Sequence, residues 1–132
     1  MSVSVVGCKN YELETVKASV AEAINRIGGL DGMKKGARVA IKANLVASAS
    51  PDKATTTHPA VLSAIAELCL EKGAAQVIIG DSPGGLYNSA FVERVYKTCG
   101  LTLCEEHGAV LNSDFSEATV YSESAKVCKN FT

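Results

Sequence analysis

Apolar residues recur along this chain with two periods, short β-branched runs alternating with longer stretches of helical spacing. Residues 3–8, VSVVGC, are β-branched and followed by polar residues, which predicts a strand. Leu13, Val16, Val20, Ile24 and Ile27 then recur at helical spacing, with Gly28 and Gly29 as the stop. After a polar turn region, RVAIKANLV sets Val39 and Ile41 on one face and predicts a second strand ending near Ala43. A helix is expected from Pro59, with Thr57 or His58 as its cap, a stripe of Val61, Leu62, Ile65, Leu68 and Cys69, and a stop at Gly73.

QVIIG predicts a third strand. Beyond it, Phe91, Val92, Val95, Tyr96 and Cys99 outline another amphipathic helix ending at Gly100. LTLCEEHG reads as a short helical turn, and AVLN, ATVYS and KVCKNF as less regular strand candidates.

Strands alternating with helices predict an α/β fold: a Rossmann-like open, mainly parallel sheet with helices on both faces. No repeat, low-complexity tract or charge block divides residues 1–132, so a single domain is expected. The last strand candidate runs into Thr132 without a stop signal, which suggests the N-terminal part of a longer protein, truncated at its C-terminus. A parallel sheet cut there leaves an unpaired edge that a homodimer of the piece would cap.

Composition removes several function classes. The 132 residues are 47% hydrophobic and 20% charged, with a formal net charge of −1. There is no basic excess to neutralise phosphates along a nucleic acid, and aromatic residues for base stacking are few. No apolar run approaches the ~20 residues that cross a bilayer, and MSVSVVGCKNYELE is not a signal peptide, so a cytoplasmic protein without membrane contact is expected. Cys8, Cys69, Cys99, Cys104 and Cys128 form no C-x2-C pair, and the odd number speaks for structural thiols rather than a disulfide framework.

In open parallel sheets, ligands bind beyond the carboxyl ends of the strands. Two loops of unusual composition leave the second and third strands there: residues 44–58, rich in Ser, Thr, Ala and Pro, and DSPGG at 81–85. Loops as long as the first are usually functional or disordered. In the second, Gly84 and Gly85 permit close backbone approach, and backbone N–H groups at the helix entrance suit a phosphate or carboxylate. Asp81 and Ser82 suit ligand hydroxyls, or they cap the turn; turn chemistry alone accounts for both residue types.

Gly80 to Gly84 also spells G-x-S-x-G, the nucleophile-elbow pattern. Pro83 after the serine, and His107 preceding Asp114, both depart from a hydrolase built on Ser82. Lys42 at the end of a buried strand reads as an anion binder or as a snorkelling lysine, with Asn44 on the same face. His58 reads as a proton-transfer group or as a cap, and His107 as a surface residue. No H-x-x-H, H-E-x-x-H or Cys/His cluster supports a metal, and no cofactor is identifiable from these residues.

Taken together, VAIKANLV, TTTHPAV, KGAAQVIIGDSPGG and YKTCGL resemble the bacterial and archaeal domain-of-unknown-function family 362, in order from about Val3 to Asn112. Its members carry an IKPNLV-like strand end, a THP helix start and a GDSPG loop. Here Ala43 replaces the usual proline, which weakens the argument for a rigid turn but leaves Lys42 and Asn44.

The motif positions that map onto this chain are Lys42, Asn44, Thr57, His58, Asp81, Ser82, Gly84 and Gly85. Family members are often longer, with a KLKTH-like segment and a 4Fe-4S ferredoxin module, both absent here. The resemblance therefore implies the substrate- or cofactor-binding portion of an iron–sulfur-associated redox protein, the cluster lying in a missing segment or a ferredoxin-like partner. In that role His58 and Asp81 would be catalytic, and Lys42, Asn44, Thr57, Ser82, Gly84 and Gly85 would bind the ligand. The alternative is a non-catalytic module for a small anionic molecule or a redox partner.

Overall fold

The computed structural model describes residues 2–46, 48–84 and 88–114, and the backbone of two short strands at 120–121 and 130–131. Three strands form an all-parallel sheet: β1 (Arg38–Lys42), β2 (Gln76–Gly80) and β3 (Ala109–Leu111), in the order β1-β2-β3. The register sets Val39 beside Val77 and Val77 beside Ala109, then Ile41 beside Ile79 and Ile79 beside Leu111. Because side chains alternate between faces, these six build one apolar face. Helix α2 (Pro59–Glu71) links β1 to β2, and α3 (Ser89–Thr98) and α4 (Thr102–Glu106) link β2 to β3. The open parallel α/β sheet flanked by helices is the class that the alternating pattern predicts.

Helix α2 is the centre of the molecule. Leu62, Ala66 and Cys69 join Val77 and Ile79 in the main core, together with Val92, Val95 and Tyr96 of α3 and Cys104 of α4. Its opposite side, Ala60 and Ala64, packs against Val16 of α1 (Leu13–Asn25). A helix apolar on two sides belongs inside a protein, and its alanines let both neighbours approach closely. Each fully buried Leu or Val contributes about 1.5–3 kcal/mol relative to exposure.

Right-handed crossovers between strands taken in chain order put their helices on one side of the sheet, and burial agrees. Val77 and Ile79 are fully buried, whereas Ala40 and Val110 on the other face are exposed and Ile78 is half-buried. Helix α1 forms an outer layer over α2. Among the described residues the second sheet face carries no helical layer, because strand order, which periodicity does not reveal, does not double back.

Residues 3–8 are not a strand, contrary to the expectation from VSVVGC. A strand needs a partner edge, and this arm is fastened to α1 instead. The carbonyl of Gly7 accepts from Ser19 Oγ at 3.2 Å, and that of Val5 accepts from Arg26 Nη1 at 3.0 Å. Val3 and Val5 stay 87% and 81% exposed. Helix α1 also ends before Ile27, where Gly29, at a φ of 68°, donates its N–H back to the carbonyl of Ile24.

Within ATVYS and KVCKNF, β4 (Val120–Tyr121) and β5 (Asn130–Phe131) pair antiparallel. Cys128 and Gly85 lie outside the described residues.

Candidate functional site

β1 and β2 end side by side. Lys42 is the register partner of Gly80, and the N–H of Ala43 donates to the carbonyl of Gly80 at 3.0 Å. The loops starting at Ala43 and Asp81 therefore leave the same edge, and Asp81 ties them together. Its Oδ2 accepts from the N–H of Leu45 at 2.7 Å, and its Oδ1 meets Lys42 Nζ at 2.6 Å. Leu45 is fully buried in the main core, so the Asp81 latch anchors the first loop to the interior.

Burial pulls the Asp81 carboxyl upward. The Lys42 ammonium and the N–H groups of Leu45 and Ser82 outweigh it and hold Asp81 below the usual carboxylate range. The pair is lopsided: the Asp81 side chain is 5% exposed and that of Lys42 is 76% exposed. Lys42 Nζ also donates to the carbonyl of Ala43 at 3.3 Å. An ammonium has three donors, which leaves one of them directed outward.

These residues border a groove of about 400 Å³. Ala40, Ile78 and Gly80 supply its floor, and Lys42, Asp81, Ser82 and Asn112 its polar rim. Asn112, at the exit of β3, was not among the residues singled out from the sequence. The rule that points to the ends of β1 and β2 applies equally to the third strand, and its exit residue is this asparagine. Gly80 admits it: a Cβ at position 80 would lie 3.0 Å from Asn112 Cβ. The Asn112 backbone is fixed by its N–H to the carbonyl of Ile79 at 2.8 Å and by Tyr96 Oη donating to its own carbonyl at 3.2 Å.

The other sequence-predicted residues divide into two groups. Ser82 and Gly84 lie exposed on the second loop, where a Cβ at Gly84 would meet only ordinary contact, 3.5 Å from the carbonyl of Val46. Asn44 and Thr57 close the base of the long loop. Asn44 N–H donates to Thr57 Oγ1 at 3.1 Å, and Thr57 N–H donates to the carbonyl of Asn44 at 3.0 Å. Inside that loop stands a 3-10 turn, Pro51–Lys53, ended by Ala54 at a φ of 52°.

His58 caps α2, with Nδ1 accepting from Ala60 N–H at 3.2 Å. Its ring stacks on Tyr11, centroids 3.8 Å apart and planes 15° from parallel. Burial lowers its pKa, and because Nδ1 accepts from Ala60, the proton of the neutral ring sits on Nε2. His58 is not among the residues that line the Lys42–Asn112 groove.

His107 is half-buried rather than on the surface. Its Nδ1 lies 2.8 Å from Glu67 Oε1 of α2, and Glu67 Oε2 lies 2.6 Å from Lys17 Nζ of α1. Cys69, Cys99 and Cys104 are buried in the core, and Cys8 lies exposed on the N-terminal arm. Burial pushes the thiols of Cys69 and Cys104 upward, away from the thiolate that binds iron. Among the described residues no group of three His, Cys, Asp or Glu is placed to hold a metal ion, and the donors present do not fit an iron–sulfur cluster. Among the same residues no helix is long and apolar enough to cross a membrane.

The model of the family described as Domain of unknown function (DUF362) matches residues 39–132. The chain belongs to that family. The match takes in the strand end at Lys42, the helix start at His58 and the loop at Asp81. The chain is also similar to the thylakoid-associated protein sll1697 of Synechocystis sp. (strain ATCC 27184 / PCC 6803 / Kazusa), at 35% identity over 83 residues. That likeness covers 62% of this chain and 26% of the relative, so the chain spans about a quarter of that protein. No solved structure matches the chain.

Proposed function

We propose that this chain is the ligand-binding α/β portion of a larger family protein, and that it holds a small anionic molecule in the groove between Lys42, Ser82 and Asn112. The observation that supports this reading is the division of labour between Lys42 and Asp81. Asp81 is buried and spends its carboxylate on holding the two loops, while Lys42 extends into water beside the groove with a donor to spare. The exposed hydroxyl of Ser82 and the rim position of Asn112 add uncharged contacts. With Lys42 and Asp81 opposed in charge, the affinity for a simple anion is modest.

Asp81 is here a positioning residue and not a base, because Lys42 and two N–H groups oppose its protonation. A proton-transfer role for His58 needs Nε2, the nitrogen that capping leaves unused. The non-catalytic module is therefore favoured over the enzyme, and a hydrolase at Ser82 has least support, since His107 pairs with Glu67. An iron–sulfur-linked redox role, the implication of the family resemblance, would draw its cluster from outside the described residues.

Isothermal titration of the chain with inorganic phosphate and with succinate tests the binding role. Lys42→Ala is expected to weaken the preferred anion about tenfold, while His58→Ala leaves its affinity within about twofold; these are the effects of one charge-assisted contact and of none. Equal affinity in Lys42→Ala and the parent contradicts the reading. For the redox role, the gene expressed to its natural stop codon and purified without oxygen is expected to show a reducible iron–sulfur signal. A colourless, iron-free protein removes that role and leaves the binding module.

A further inference from the structure

The groove at the strand ends has a floor as well as a rim, and the two differ in chemistry. Residues two apart along a strand share a face, and the register sets them beside their partners. Three rows therefore cross the sheet face that carries no helical layer among the described residues. The row at the carboxyl edge holds Lys42 beside Gly80, with Asn112 next to Gly80. Behind it lies an apolar row of Ala40, Ile78 and Val110. Arg38 beside Gln76 begins the third, and Arg38 Nε donates to Gln76 Oε1 at 3.2 Å. Ala40 and Val110 are exposed and Ile78 is half-buried, so apolar surface meets solvent between two polar rows. Gly80 leaves a notch between Lys42 and Asn112, and Ala40, Ile41 and Ile78 line the same groove.

We propose that the anion held here has one charged head and an apolar body, as a medium-chain carboxylate has. Its head lies at Lys42 between Ser82 and Asn112, and its body passes over Gly80 onto Ala40 and Ile78. This rests on the groove taking an anion at Lys42 and narrows the class of that anion. A single head follows from charge. Among the described residues lining the groove Lys42 is the one cation, and the Asp81 carboxylate, 2.6 Å from its ammonium, opposes a second negative charge. The length of the body follows from the rows, which lie roughly 7 Å apart. A tail of about five carbons covers the apolar row, and one twice as long runs into the row of Arg38.

The test is an NMR titration of the whole chain, with methyl and lysine labels, using acetate, hexanoate, decanoate and succinate. A fully buried methylene is worth about fourfold in affinity, and a tail on an open floor is covered on one side only, so hexanoate is expected to bind roughly tenfold tighter than acetate. It is also expected to bind tighter than succinate, and decanoate to gain less than twofold over hexanoate. Hexanoate should shift the methyls of Ala40 and Ile78 saturably and leave Val77, on the buried face, still. Ile78→Thr keeps a β-branched side chain at a position outside the core cluster, and is expected to weaken hexanoate roughly three- to tenfold while leaving acetate unchanged.

Acetate, succinate and hexanoate binding alike at Lys42 overturns this inference and keeps the anion groove. No saturable shift at Lys42 with any of the four, in the folded chain, overturns both. A gain that continues undiminished to decanoate marks adsorption to apolar surface rather than a seat of fixed length, and overturns the inference. Hexanoate binding unchanged by Ile78→Thr overturns it as well.

Discussion

Glu67 and Asp81 are each held ionised by a lysine, in settings with opposite uses. Glu67 lies in the helical layer, where Lys17 of α1 and His107 after α4 close on it from two sides and hold it below its usual range despite burial. Lys17 is committed twice, to Glu67 and to Glu71, and its pKa is raised accordingly. Asp81 lies at the carboxyl edge of the sheet, with a single lysine that stays mostly in water. The first constellation stitches three elements together, and its charges are spent within it. The second holds two loops in place and leaves a cation at the mouth of a groove. A cluster of charges does not mark a site by itself; what marks one is a charge left over at a strand end.

Substitutions sharpen the contrast in order of size. Leu62→Ala, beneath both regions, is expected to lower stability by about 2–5 kcal/mol in chemical denaturation, because a cavity opens between α2 and the sheet. Asp81→Ala frees Leu45 N–H and is expected to cost about 1–3 kcal/mol and to abolish anion binding. Asp81→Asn keeps an acceptor for that N–H and should recover part of the stability, and it should retain anion binding, because the carboxylate that opposes the anion at Lys42 is gone. Glu67→Gln is expected to cost no more than about 1 kcal/mol, as for pairs reached by solvent, and to leave the groove's affinity unchanged. A groove weakened as much by Glu67→Gln as by Asp81→Ala would erase the distinction. Lys42→Ala leaves the buried Asp81 carboxylate to its N–H donors alone and is expected to cost about 1 kcal/mol in stability, while lowering anion affinity about tenfold.

Acidification separates His58 from the carboxylates. His58 has a lowered folded pKa, so the unfolded chain binds its proton first. Its contribution is full above about pH 6.5 and is lost as pH falls through the folded value. Asp81 and Glu67 are also lowered; their contributions hold above about pH 4 and fade below it. Unfolding midpoints followed from pH 8 to pH 3 are expected to fall in two stages. His58→Asn should remove the upper stage alone, and an unaltered upper stage in that variant would assign it elsewhere.

Much of this was legible in the sequence because it rests on local chemistry. The Pro59 start with a cap at Thr57 or His58, of which the structure uses His58, the ends of β1 and β2, and the pairing of apolar periods with helices all follow from spacing and turn residues. What was not legible depends on partners distant in the chain. VSVVGC has the composition of a strand, but whether an edge is available to it is decided by α1 and Arg26. That one face of the sheet alone is covered among the described residues depends on strand order. Asn112 joins the rim only because Gly80 has no side chain, a relation across two strands. Lys42 and Asp81 were each singled out from the sequence, but their pairing, and hence their separate roles, needed the register of β1 on β2.

The most direct test follows all the lysine side chains at once during a titration with succinate or phosphate, by NMR on selectively labelled chain. Saturable shifts at Lys42, with companion backbone shifts at Ser82 and Asn112 and none at Lys17, are the predicted result. Shifts at Lys17 equal to those at Lys42, or none at Lys42 while the chain is folded, would contradict the account.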